Sequence, residues 1–75
     1  MMNDDDPFLS EDEKALHARL TELRLEHSDL DASIEALLRL PQPDQLMVAR
    51  LKRKKLVLRD EIVKIEAIIL PDIIA

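Results

Sequence analysis

The sequence predicts an all-α protein: an antiparallel, coiled-coil-like two-helix hairpin that assembles into a dimeric four-helix bundle. Three observations carry this reading. The 75 residues include no glycine, so turns of types I′, II′ and II lose their usual residue and hairpin-rich β structure is disfavoured. Two long segments repeat apolar residues in alternating steps of three and four, the signature of a heptad seam. One break, Leu40-Pro41-Gln42-Pro43-Asp44, separates them. Leu, Ile, Ala, Glu, Lys and Arg dominate the rest, and these residues suit long helices.

Residues 1–9 read as a disordered acidic arm. Met1-Met2-Asn3-Asp4-Asp5-Asp6-Pro7 has no apolar h-region and is not expected to be a signal peptide. The hairpin is expected over residues 10–70, beginning with a helix over 10–40. Ser10-Glu11-Asp12-Glu13 forms a capping box: the Ser10 hydroxyl accepts from the Glu13 N–H, and the Glu13 side chain reaches back. Three acids in the first turn face the positive end of the helix dipole. The seam of this helix is Leu16, Leu20, Leu23, His27, Leu30, Ile34 and Leu37.

The loop is placed at residues 41–44. Pro41 pushes Leu40 out of helical geometry, and Asp44 is positioned to cap the next helix. The second helix is expected over residues 45–70, with the seam Val48, Leu51, Lys55, Leu58, Ile62, Ile65 and Ile69. Pro71 ends it, and residues 71–75 form a mostly apolar tail.

The two seams check each other. In an antiparallel hairpin, facing residues have numbers with a constant sum. Leu16 with Ile69, Leu23 with Ile62, His27 with Leu58, Leu30 with Lys55 and Leu37 with Val48 all give 85. The implied turn centre falls between Gln42 and Pro43, inside the only break. Flanking charges mostly agree: Glu26 lies near Lys54, Arg19 near Glu61 and Asp31 near Lys52. Arg24 near Arg59 opposes the register, and Glu66 is placed to relieve it.

A lone hairpin of this size has neither disulfide nor metal to staple it. The second helix carries another apolar row, Ala49, Leu56, Val63 and Leu70, at seven-residue spacing. Leu56, Val63 and Leu70, with Ile73 and Ile74 of the tail, form the expected surface for self-association or for another protein.

Chemistry is sparse. The absence of cysteine excludes a disulfide framework and thiolate metal sites and fits a reducing cytoplasm, where the protein is expected. His17 and His27 are ten residues apart, which is not a helical ligand spacing. His27 and Asp31 are four apart, so the acid can orient the imidazole. His27, Lys55 and Asp31 are read as polar seam residues that set register and oligomer state at a cost in stability, with the Lys55 ammonium snorkelling to Asp31. No metal, cofactor or catalytic group is assigned. No nucleophile–base pair or phosphate loop is present, and the protein is not expected to be an enzyme.

The basic residues Arg50, Lys52, Arg53, Lys54 and Arg59, with Lys55 among them, form a second candidate surface. A phosphate-tracking helix would put them on one face. Here they wrap the helix, lack interleaved aromatics, and sit in a chain of net charge −5. Nucleic-acid binding through residues 50–59 is therefore the alternative reading. No apolar run approaches the ~20 residues of a membrane span, so no membrane partner is expected.

Glu26-His27-Ser28-Asp29-Leu30-Asp31-Ala32-Ser33-Ile34 and Leu51-Lys52-Arg53-Lys54-Lys55-Leu56-Val57-Leu58-Arg59-Asp60-Glu61-Ile62 together resemble the YdcH-like family of small bacterial proteins of unknown function. That family's pattern runs roughly E-H-x-x-L-D-x-x-I, a short loop, then L-K-x-K-K-L-x-L-K-D-E-I. Arg53 and Arg59 stand where lysine is usual. The resemblance covers residues of about 15 to 66 and implies a helical hairpin in a bacterial cytoplasm, with no established activity. The resulting expectation is a non-enzymatic, self-associating interaction, adaptor or regulatory module.

Overall fold

A computed structural model describes residues 10–69. It contains two helices, α1 (Glu11–Leu38) and α2 (Gln45–Ile69), packed against each other as an antiparallel hairpin. No strand occurs among the described residues. The expected acidic arm, Leu70, Ile73 and Ile74 lie outside the described residues.

Local chemistry sets the ends of the helices. Ser10 is extended (φ −68°, ψ 165°) and its hydroxyl accepts from the Glu13 N–H at 3.1 Å. The Glu13 carboxylate accepts from that same hydroxyl at 3.2 Å, so the cap closes side chain to side chain. α1 ends at Leu38, two residues short of the expected boundary. The Arg39 and Leu40 N–H groups donate to the Ala36 and Leu37 carbonyls at 3.3 and 3.2 Å, a tighter 3₁₀-type turn. No described residue has positive φ. The helix therefore stops by tightening before Pro41, without a left-handed C′ residue. Asp44 restarts the chain as a helix: its Oδ1 accepts from the Met47 N–H at 3.0 Å.

The seam is the interface. Leu20, Leu23, Ile34 and Val48 are buried, Leu23 completely. The other seam residues, His27 and Lys55 included, are half-buried, and none is exposed. The buried residues fall at two levels: Leu20 and Leu23 pack toward the open end, Ile34 and Val48 beside the loop. The half-buried layers of His27 with Leu58 and Leu30 with Lys55 separate them. The core is thus thinnest at mid-hairpin, where the seam is polar.

Ion pairs flank both sides of the seam. Arg19 donates to Glu61 at 3.4 Å and also reaches Glu22 at 3.5 Å. Arg24 donates to Glu66 at 2.6 Å, which relieves its expected conflict with Arg59. These side chains are a third to two-thirds exposed, so each pair contributes about 0–1 kcal/mol and chiefly selects the register.

Candidate interaction surfaces

Helix periodicity divides the hairpin surface into two faces, one on each side of the seam. On one lies the polar cluster. Lys55 leaves the seam laterally, and its Nζ reaches Asp31 Oδ1 at 2.5 Å. His27 Nδ1 stands 3.8 Å from Asp31 Oδ2, an electrostatic approach too long for a hydrogen bond. The Lys55 hydrogen bond holds the Asp31 carboxyl below its ordinary value. Partial desolvation opposes this, and the charges of Lys55 and His27 add to it. One acid is therefore shared by the two polar seam residues. Among the described residues no group of three ligating side chains converges.

Asp31 was expected beside Lys52 as well. The seam lysine takes it, and Lys52 pairs with no acid among the described residues. Glu26 and Lys54 line the same groove without forming an ion pair. Arg19 and Glu61 have the equivalent spacing and do pair. The difference follows from the side chains: the broad guanidinium fork bridges two carboxylates, whereas the compact ammonium is strongly hydrated. Arg50, Lys52, Arg53, Lys54 and Arg59 are all exposed. None has an acidic partner among the described residues.

The predicted apolar row is also exposed, Leu56 at 59% and Val63 at 55%. It flanks the polar cluster's side of α2. Its continuation through Leu70, Ile73 and Ile74 lies outside the described residues.

On the other face an open groove of about 700 Å³ runs between the helices at mid-hairpin. α1 supplies Glu26, Asp29, Leu30 and Ser33, and α2 supplies Arg50, Arg53, Lys54, Val57 and Leu58. The outer residues repeat at i, i+3, i+4, i+7 on both helices, so each set is one continuous stripe. One rim carries carboxylates, the other carries cations, and the floor is aliphatic. The groove lies over the half-buried Leu30 and Leu58, where the core is thinnest. Sequence reasoning missed this groove because it treated the acids and bases as pairs across the seam. The matching i, i+3, i+4, i+7 spacing was the signal that could have found it. Sequence reasoning weighed His17 only as a metal ligand and did not anticipate that its Nε2 is buried without a hydrogen-bond partner among the described residues.

No described helix is long and apolar enough to cross a membrane. No curated protein and no solved structure matches the chain. The family described as "Protein of unknown function (DUF465)" matches residues 20–66, a span that takes in most of both seams, the loop, the groove and the polar cluster. The chain belongs to this family, which is the YdcH-like family that its two motifs resemble.

Proposed function

We propose that this protein is a non-enzymatic, self-associating helical-hairpin module that acts as an adaptor or regulatory interaction partner in a bacterial cytoplasm, two hairpins forming a four-helix bundle. One observation carries the reading: the apolar surface left outside the core is larger than the core can account for. Only Leu20, Leu23, Ile34 and Val48 are buried among the described residues, whereas Leu25, Leu46, Leu56, Val57, Val63 and Ile68 are each more than half exposed. Apolar side chains left on a thin hairpin gain stability when a second hairpin covers them. The non-enzymatic part is supported by the groove's contents. Ser33 is its only hydroxyl, and no base hydrogen-bonds to it among the described residues. The cytoplasmic part rests on the lack of cysteine.

Affinity capture of the native chain from lysate, with and without nuclease, tests the reading. Copies of the chain recovered irrespective of nuclease are the expected result. Recovery that nuclease abolishes overturns it in favour of a second reading, nucleic-acid association. That second reading is favoured by Arg50, Lys52, Arg53, Lys54 and Arg59, which are exposed and have no acidic partner among the described residues. It requires an affinity for DNA or RNA that falls steeply with salt.

A further inference from the structure

We propose that a second copy of this chain docks in the groove between α1 and α2, about a two-fold axis parallel to the hairpin's length, so that both loops lie at the same end of the dimer. This rests on the self-association reading and assigns it a face and an orientation.

The floor of the groove is the unfinished part of the core. Leu30 and Leu58 belong to the seam but remain half-buried, and Val57 beside them is 54% exposed. The same two layers contain His27 and Lys55, which turn to Asp31 on the opposite face. Apolar cover from outside is what this level lacks.

The rims select the occupant. Glu26 and Asp29 make the α1 rim negative, while Arg50, Arg53 and Lys54 make the α2 rim positive. None of these five side chains forms an ion pair among the described residues. A face with one negative and one positive edge is complementary to itself only when each edge meets the other. Two face-to-face two-folds are possible. An axis across the hairpin stacks α1 on α1 and α2 on α2, which sets acid against acid and base against base. An axis along the hairpin stacks α1 on α2 of the second copy, which sets each acidic rim on a basic one.

The second operation also fixes the pairing. A closed two-fold permits no sliding along its own axis, so residues at equal heights meet. Within one chain Asp29 stands level with Lys54, and Ser33 level with Arg50, to within two residues' rise, about 3 Å, which the side chains span. Asp29 of each copy therefore meets Lys54 of the other, and the contact occurs twice. The result is an antiparallel four-helix bundle, a geometry consistent with known helical packing. Leu56 and Val63, on the other face of α2, stay open to a different partner.

The chain has no cysteine, so a spin label at Gln42→Cys reports the loop-to-loop distance cleanly. The proposed axis predicts about 15–25 Å, given helices packed 8–10 Å apart and the reach of the labels. The crosswise axis predicts about 35 Å, because the loop lies roughly twelve residues beyond the groove centre at 1.5 Å each. A second measurement tests the contact. Asp29→Lys and Lys54→Glu each turn two symmetry-related attractions into repulsions, so each variant alone dimerises about tenfold more weakly. Mixed in equal amounts, they form a heterodimer with both pairings restored, and wild-type affinity returns. Circular dichroism confirms that these exposed substitutions leave the helices intact. A dimer with distant loops, or one indifferent to both substitutions, or a mixture that fails to recover, overturns this inference while leaving self-association standing. A monomer at every concentration overturns both.

Discussion

Replacing Leu23 by alanine tests whether the seam holds the hairpin together. Leu23 is the one completely buried side chain among the described residues. Truncation removes three carbons, and at about 0.8 kcal/mol per buried methylene the transfer loss is roughly 2.4 kcal/mol. A residual cavity adds to this, but two helices with solvent on either side can close much of it. The expected loss is therefore about 2.5–3.5 kcal/mol, toward the lower part of the usual Leu→Ala range. A chain of 75 residues has a total stability of about 4–11 kcal/mol, so this is a large fraction. The melting temperature should fall by about 10–25 °C. Leu25→Ala is the control: the same chemistry two residues on, at a side chain 63% exposed, should cost no more than about 0.5 kcal/mol. Urea unfolding followed by far-UV circular dichroism, at matched protein concentration, measures both. Equal losses, or a Leu23→Ala loss below about 1 kcal/mol, would refute the seam as the source of stability.

Three further outcomes are expected. Lys55→Leu should raise the melting temperature and broaden the oligomer distribution in light scattering, because it removes a polar seam residue that restricts the possible assemblies; a single unchanged species would count against that role. The folded-state pKa of Asp31 is lowered, so its contribution to stability is present above its ordinary value of 3.8 and is lost as pH falls through the lowered one. Urea midpoints of the wild type should accordingly exceed those of Asp31→Asn at neutral pH and converge with them in that acid range; a constant gap would show that the carboxylate's charge is irrelevant. Ser10→Ala removes the hydroxyl that accepts from the Glu13 N–H and should cost about 1 kcal/mol, with hydrogen exchange at Glu13 accelerated. Unchanged exchange there would mean that the cap does not restrain the first turn.

The fold was largely legible because heptad spacing specifies burial directly. Every seam residue from Leu16 to Leu37 and from Val48 to Ile69 is buried or half-buried, and Asp44 caps α2 as its position implied. Side-chain pairing was less legible, since register gives height along the hairpin and leaves reach and competition open. Lys55 reaches Asp31 from inside the seam and so leaves Lys52 without that partner. Lys54 does not close on Glu26, although Arg19 closes on Glu61 at the same spacing. The groove was missed for a related reason. It is built from residues that do not pair, whereas the charge reading counted only pairs. Leu56 and Val63 emerged as exposed as their spacing suggested.

Sedimentation equilibrium of the full chain over a wide concentration range tests the central claim of self-association most directly. Each chain weighs 8.6 kDa, and the account predicts a concentration-dependent rise to the mass of two chains. A mass of 8.6 kDa at every concentration would contradict it.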